Sequence, residues 1–448
     1  MKIRSLLVAA FVLLVLTGFL YWSGRHRPAD ETSKISADTP PAILKLDQAT
    51  ITALELKKKD APALQLEKTS SGEWKITAPK DLRADQSSVS SLVSTLSSLN
   101  SERLVDDKAS DLKTYGLESP GLEVDIREKD NKSEKVLLGD DTPAGGGVYA
   151  MRAGDRRVFT LASYDKTAID KGLNDLRDKR LLTVEPDKIS RLEVIRKNLD
   201  LEFGRNKDEW QILKPRPLRA DNTEVNDLVS KLAEAKMDLG GRTSDDADPL
   251  FARGTPVATA RLTDQSGTQE LQIRKNKDDF YAKSSAVTGA YKIESDLGKA
   301  VDKGLDDFRN KKLFDFGYNE PSKIELHNGS KAYFLARSGK SEDWWSGDGK
   351  KMDAATVDSL ISRFRDLSAR KFVDSGFSAP AIDSTVVSDD GKRTEKVRIA
   401  KSGDHYIARR ENEPTLYELD SAPVEELLKA ADATKPAASA GEGAGKKP

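Results

Sequence analysis

Glu73–Asp85 reads EWKITAPKDLRAD, and Glu209–Asp221 reads EWQILKPRPLRAD. The tryptophans, Trp74 and Trp210, are 136 residues apart (210 − 74 = 136), and the Trp, Ile, Pro and Leu-Arg-Ala-Asp positions coincide. Either a binding site occurs twice or a piece of architecture does, and the residues after each aspartate separate the two. After Asp85, apolar residues fall at Val89, Leu92, Val93, Leu96 and Leu99. The same offsets from Asp221 give Val225, Leu228, Val229, Leu232 and Ala235. A third, degenerate copy, EDWWSGDGKKMDAATV over 342–357, lacks the Arg-Ala, yet from Asp353 the offsets give Val357, Leu360, Ile361, Phe364 and Leu367. That spacing is one face of an amphipathic helix, predicted three times. Each aspartate sits where an N-cap belongs, and Glu224, three residues after Asp221, predicts a capping box.

Upstream of each Trp the chain alternates as short strands: LELKKKDAPALQLEK, RLEVIRKNLDLEFGR and KIELHNGSKAYFLAR, each followed by the Trp strand. Turn residues at Ser71-Gly72, Asn206-Lys207 and Ser341-Glu342 close a three-stranded antiparallel meander, and Pro79, Pro215 and Pro217 end its last strand. Beyond the helix come Gly/Pro corners (YGLESP, FARGTP, SGFSAP) and four more alternating segments per copy. A second helix is expected in IDKGLNDLRDKRLL and VDKGLDDFRNKKLF, with APVEELLKAA as its truncated third counterpart. The expected unit is therefore β-β-β-α-β-β-β-β-α, three times over, an α+β fold of mainly antiparallel sheet with packed helices. At 448 residues, division by roughly 150 per domain also suggests about three.

The N-terminus, MKIRSLLVAAFVLLVLTGFLYWSGRHRP, places Lys2 and Arg4 before an uncharged stretch from Ser5 to Gly24. At about 1.5 Å per residue such a stretch crosses a bilayer core of about 30 Å. Tyr21-Trp22 followed by Arg25 and Arg27 resembles an interfacial belt more than a cleavage site, so an uncleaved transmembrane anchor is expected, with a cleaved signal peptide as the alternative. The short N-terminal side favours export of everything after it, and the absence of cysteine excludes a lipoprotein anchor and a disulfide framework. The expected organisation is a cytoplasmic tip and anchor over 1–24, a polar tether over 25–45, repeats over 46–185, 186–320 and 321–431, and a disordered tail over 432–448.

These units resemble the bacterial family known as domain of unknown function 4340. The resemblance rests on the Trp…Pro…Ala-Asp strand-to-helix step, the corner from Gly116 to Pro120 and the hairpin VLLGDDTPAGGGVYA, and it covers essentially 46–431. The third copy departs from it by losing the Arg-Ala and the first Pro. The resemblance implies a membrane-anchored envelope protein, in some cases encoded with or fused to gliding-type ABC transporter components, and implies no established activity.

The catalytic inventory is thin. With 73 Lys+Arg against 74 Asp+Glu the formal charge is −1, which leaves no net field to draw in nucleic acid. The three histidines, His26, His327 and His405, are scattered, and no cysteine exists, so no metal and no cofactor are expected. The acidic pairs, Asp106-Asp107, Asp140-Asp141, Asp245-Asp246, Asp278-Asp279, Asp306-Asp307 and Asp389-Asp390, fall at corners and polar faces. Gly145-Gly146-Gly147 leads into a strand rather than a helix, unlike a dinucleotide fingerprint. No catalytic residue is assigned. The residues left over are Arg83 and Arg219, two before each cap. A guanidinium there could bind an anionic partner near the positive helix end, or could pair with a neighbouring acid or lie over the Trp.

The leading expectation is a non-enzymatic, single-pass protein of the bacterial inner membrane. Its bulk is periplasmic or otherwise extracytoplasmic, and it serves as a scaffold or partner-binding protein for an envelope protein partner, with a possible link to an ABC-type transport or gliding-type machine. Two alternatives stand beside it: a carboxylate-dependent carbohydrate- or peptidoglycan-acting enzyme, which needs two acids within about 10 Å in a cleft, and a lipid or polysaccharide carrier built around an apolar groove.

Overall fold

The computed structural model describes residues 41–143, 145–240, 244–317, 320–337 and 343–438. The N-terminal anchor expected over 1–24, most of the tether, and the last ten residues lie outside these. Among the described residues no helix is long and apolar enough to cross a membrane. The chain divides into two compact units, one up to Lys179 and one from Arg180 onward. Repeat 1 fills the first, and repeats 2 and 3 share the second.

Three mainly antiparallel sheets, one per repeat, each carry an amphipathic helix on one face. In repeat 1 the strands are β1 (Ile51–Lys58), β2 (Leu64–Lys68), β3 (Trp74–Ala78), β4 (Leu82–Arg83), β5 (Arg103–Asp106), β6 (Leu122–Glu128), β7 (Ser133–Asp141), β8 (Gly147–Arg152) and β9 (Val158–Ala162). Their order is β4-β3-β2-β1-β6-β7-β8-β9-β5. Repeat 2 supplies β10 (Arg191–Ile195), β11 (Asp200–Asn206), β12 (Glu209–Lys214), β13 (Leu218–Arg219), β14 (Thr255–Asp264), β15 (Gly267–Asn276), β16 (Asp279–Ser284) and β17 (Ala290–Ile293), in the order β13-β12-β11-β10-β14-β15-β16-β17. Repeat 3 supplies β18 (Lys323–Asn328), β19 (Lys331–Ala336), β20 (Trp345–Ser346), β21 (Lys371–Val373), β22 (Ile382–Ser388), β23 (Arg393–Ser402), β24 (His405–Arg410) and β25 (Leu416–Asp420), in the order β20-β19-β18-β22-β23-β24-β25-β21. The shared path is a meander, a helical crossover, and a second meander returning beside the first strand.

The three amphipathic helices are Gln86–Ser97, Asn222–Ala233 and Ala354–Asp366. All fifteen apolar offset positions are buried against the sheets. The aspartates cap as their position predicts: Asp85 accepts from Ser88 N at 2.8 Å, Asp221 from Thr223 N at 2.9 Å and Glu224 N at 3.2 Å, and Asp353 from Thr356 N at 3.1 Å. The capping box at Glu224 does not form. The Asp221 backbone N–H is taken by the Phe308 carbonyl at 2.8 Å, and Glu224 pairs with Lys303 at 2.6 Å.

Trp74, Trp210 and Trp344 are buried in their cores. A basic side chain covers each ring, with Lys68 Nζ 5.1 Å, Arg205 Cζ 5.7 Å and Arg337 Cζ 5.5 Å from the centroids. In repeats 1 and 2 the first helical residue straps the helix to the Trp strand: Trp74 N donates to Gln86 Oε1 at 2.8 Å and Trp210 N to Asn222 Oδ1 at 2.6 Å.

The second helix is where sequence and structure part. IDKGLNDLRDKRLL is not one helix: the helix Ser163–Ile169 ends on its first residue, Leu173–Leu176 makes a single turn, and the rest is extended. The apolar spacing there serves two different cores, since Leu176 is buried in repeat 1 while Leu181 and Leu182 are buried in repeat 2. The segment works as a bridge. Its first half pairs with its own repeat (Ala84 with Arg177, Ala220 with Arg309) and its second half with a residue shortly beyond the next amphipathic helix (Arg180 with Lys236, Lys312 with Ser368).

Both chain ends follow this plan. Ala42 pairs with Asn100, which puts Ile43 and Leu44 of the expected tether into the first core. Met352 pairs with Pro436 and Asp353 N donates to Lys435 O at 2.9 Å, so pairing runs past residue 432 into the expected tail. APVEELLKAA lies in the 12-residue helix Ser421–Asp432, which is not truncated relative to its partners.

The excursion after each helix covers part of the sheet's back face. In repeat 1 it forms a satellite core with Leu117, Met151 and Val158. In repeat 2, FAR of FARGTP ends a helix, Ser244–Arg253, whose Ala247 and Phe251 pack on Tyr281 and Ala290. In repeat 3 only residues 374–381 separate β21 from β22, so more of the back face stays open.

Candidate interaction surface

The Leu-Arg of each Leu-Arg-Ala-Asp forms the strands β4 and β13, which run between the Trp strand and the bridge. The Arg83 carbonyl accepts from Asp178 N at 2.9 Å, and the Arg219 carbonyl from Asn310 N at 3.0 Å. Arg83 Nε lies 3.8 Å from the buried Asp178 carboxylate. Arg219 reaches from repeat 2 into repeat 3. Its Nη1 and Nη2 donate to the Lys312 carbonyl at 3.0 and 3.1 Å, and the guanidinium stands 3.4 Å from Asp315 and 3.8 Å from Glu413. Arg83 and Arg219 belong to different compact units, and the cations over the tryptophans are other residues.

Arg219 joins a larger ionic cluster. Arg410 contacts Glu413 at 2.8 Å and Glu395 at 3.1 Å and donates to the Leu313 carbonyl. Glu395 accepts from Asp315 N at 3.0 Å, and Arg393 stands 3.6 Å from Glu395 and 3.9 Å from Asp315. The Tyr417 hydroxyl donates to Glu413 at 2.7 Å, and burial pushes its pKa up. Repeat 2 does the same job at its own entry with neutral groups: Gln269 accepts from Thr183 N at 2.9 Å and Ser284 donates to the Leu181 carbonyl. In repeats 2 and 3 the entry segment therefore takes one acceptor and one donor from the second meander, whereas in repeat 1 the equivalent Glu134 and Arg152 pair with each other at 2.6 Å. Repeat 3 supplies them as charges, which Arg219 then helps to balance.

Most of the acids whose pKa departs from its ordinary value are held low by their partners. Hydrogen bonds from Lys57 and Gln65 hold Glu55 below its usual range, and those from Lys214 and Arg191 do the same for Glu202. Asp165 is displaced upward, by burial and by Glu102. Asp389 and Asp390 occupy a hairpin turn at positive φ, where Asp is tolerated. Among the described residues no group of three or more His, Cys, Asp or Glu could hold a metal. His327 packs edge-on against Phe334 at 5.2 Å and His405 sits 3.0 Å from Asp404, with β22 and β23 between their strands.

The backs of the three sheets differ. Repeat 1 shows a ladder of paired charges, Lys57 with Glu55 and Asp125, and Lys135 with Glu123 and Asp125. Repeat 2 repeats it with Glu202 between Arg191 and Lys214, and Arg261 on Glu270. In repeat 3 the residue preceding the buried Leu335 is Phe334, and the one following Trp344 is Trp345; they are 42% and 43% exposed. The equivalent positions are Gln65 and Lys75 in repeat 1 and Glu202 and Gln211 in repeat 2. Phe334 and Trp345 line an open groove of about 700 Å³ with Ala332, Ala336 and Gly347. The charges beside them are already matched, Lys323 to Glu325 at 2.6 Å and Asp348 to Lys350 at 2.7 Å.

The model of the family described as domain of unknown function (DUF4340) matches residues 74–250 and again 210–385. Each match begins on a motif tryptophan. The chain belongs to this family. A search of curated proteins finds no match. Among solved structures, the chain is similar at 7% identity to a DNA polymerase sliding clamp from Pseudomonas aeruginosa with ligand, covering 84% of this chain and 93% of that one, with a TM-score of 0.15. It is likewise similar at 7% identity to DNA polymerase III subunit beta from the same organism, covering 87% and 93%, with a TM-score of 0.13. At such scores these likenesses carry no argument.

Within the DUF4340 repeats, sequence reasoning passed over both the ionic cluster and the aromatic face. The signal for the face was present in Trp344-Trp345: only one of two adjacent strand residues can point into the core, so the other is left on the back. The cluster had no such signal, because Arg219, Asp315, Glu395 and Arg410 come together only through the bridge.

Proposed function

We propose that this DUF4340 protein is a membrane-tethered scaffold or partner-binding protein of the bacterial envelope, anchored by an N-terminal transmembrane helix over residues 5–24 with its repeats extracytoplasmic. The observation that carries the reading is the contrast between the sheet backs. Repeats 1 and 2 neutralise theirs chiefly with ion pairs, with Leu213 an exposed aliphatic side chain on the Trp strand of repeat 2, whereas repeat 3 presents two aromatic side chains among charges already matched to one another. Exposed aromatic rings on rigid strands are typical anchors of protein interfaces, and a surface without surplus charge suits an apolar segment of an envelope protein. An ABC-type transport or gliding-type machine is the proposed source of that partner.

Two measurements test this. Protease added outside spheroplasts should remove the repeats while leaving the cytoplasmic tip protected; protection of the repeats would overturn the topology. Crosslinking of intact cells and then capture of the full chain should recover an envelope protein from wild type and much less from F334S/W345S. Equal recovery from both would remove the aromatic face from the proposal.

A further inference from the structure

Repeats 1 and 2 bring the same two backbone positions together at one end of the sheet. In repeat 1 they carry Lys58 and Asp170, an ion pair at 2.5 Å. In repeat 2 they carry Arg196 and Asp302. The equivalence rests on register, since Leu54 faces Leu66 as Leu192 faces Phe203, and on the shared Asp-Lys-Gly-Leu that begins at Asp170 and at Asp302.

In repeat 2 the pair is open. Arg196 Nη1 donates to the Asp302 backbone carbonyl at 2.8 Å, while the Asp302 carboxylate is 3.7 Å away and 73% exposed. The Arg196 side chain is only 11% exposed, and its Nε and Nη2 are buried with no hydrogen-bond partner. Guanidinium N–H groups left this way are costly, because water has been removed and nothing replaces it.

The groove beside Arg196 has a volume of about 630 Å³ and is also lined by Lys197, Lys275, Lys277 and Thr255, with Asp302 as its one acid. Lys197 and Lys277 are exposed and make no ion pair among the described residues. Lys275 lies 5.5 Å over the Phe280 ring. Lys277 occupies the left-handed turn between β15 and β16, with φ of 56°, at the groove's rim. The repeat architecture does not require this charge. In repeat 1 the positions of Lys275 and Asn276 carry Asp140 and Asp141, and in repeat 3 the position of Arg196 carries Asn328.

We propose that this groove in repeat 2 binds a phosphate group, with Arg196 as its floor and Lys197, Lys275 and Lys277 as its rim. A lone carboxylate could be satisfied by Arg196. Four cations against one acid call for a ligand with more than one negative charge or several acceptor oxygens, and a guanidinium fork matches phosphate geometry. A small rotation of the guanidinium away from the Asp302 carbonyl gives the orphaned N–H groups a phosphate oxygen to bond. The source is either a free phosphate or a phospholipid headgroup, which share this chemistry.

The test is calorimetric titration of the full chain with inorganic phosphate and, separately, with dihexanoyl phosphatidylglycerol, using dihexanoyl phosphatidylcholine and chloride at matched ionic strength as controls. Saturable binding of at least one phosphate probe is expected, weakened roughly tenfold or more in K197Q/K277Q, whose exposed side chains leave the fold intact. K59Q, the repeat 1 counterpart of the first of these, should bind as wild type does. Binding of phosphatidylglycerol alone would identify a headgroup, and binding of inorganic phosphate a free anion. Silence with both probes, an equal response to chloride, or undiminished binding by K197Q/K277Q would overturn the proposal.

Discussion

Replacing Arg219 by alanine separates a structural arginine from a binding one. The substitution removes two donations to the Lys312 carbonyl, at 3.0 and 3.1 Å, and contacts with Asp315 and Glu413 at 3.4 and 3.8 Å. The paired donation to a single carbonyl is a charge-assisted hydrogen bond, worth about 1.5–3 kcal/mol. The two ion contacts are about a quarter exposed on the acid side, so solvent screening limits each to roughly 0.5 kcal/mol. The larger cost of stranding a buried charge does not apply, because Asp315 keeps Asn310 and Glu413 keeps Arg410 and Tyr417. R219A should therefore lose about 2–4 kcal/mol in the transition that unfolds repeats 2 and 3, and R219K about half of that, since lysine keeps the charge without the fork. Urea denaturation of the full chain, monitored by tryptophan fluorescence and paired with calorimetry, reads this directly. A double-mutant cycle with D315N should show a coupling of about 0.5 kcal/mol. If R219A unfolds within about 0.5 kcal/mol of wild type yet captures no crosslinked partner, the arginine is a binding residue and the reasoning fails.

Asp221→Ala removes a cap that accepts two backbone N–H groups and should cost about 1 kcal/mol, read as a lower urea midpoint, whereas Asp221→Asn should lose less than half as much. Stability should also fall in acid. Glu55 and Glu202 are held below the ordinary value of 4.5 by lysine, glutamine and arginine partners, so their contribution is complete above that pH and is lost as the pH drops through their lower folded values. Thermal midpoints recorded from about pH 6 to about pH 2 should decline below the ordinary carboxylate value of 4.5 in wild type and less steeply in E202Q; parallel curves would dismiss the ladder as a contributor.

The sequence determined the repeated layout because that layout rests on local, periodic signals. Apolar residues at helical spacing after Asp85, Asp221 and Asp353 meet a sheet whatever else surrounds them, and an aspartate before such a run caps it. The alternating strands were legible for the same reason, and so was the third copy, whose Trp and Asp persist without Arg-Ala. What sequence misread was the bridge. Leu176, Leu181 and Leu182 have the spacing of a helix face, but they enter two different cores, and no local pattern records which core an apolar residue joins. Tertiary structure alone decided the roles of the charges. Arg219 meets Asp315 because the bridge carries that aspartate back past β13, Arg196 is short of acceptors because Asp302 turns its carboxylate to solvent, and Trp345 is exposed because Trp344 already fills the inner position. A charge or a ring acquires its energetics from neighbours distant in sequence, and only the assembled sheets bring those neighbours within reach.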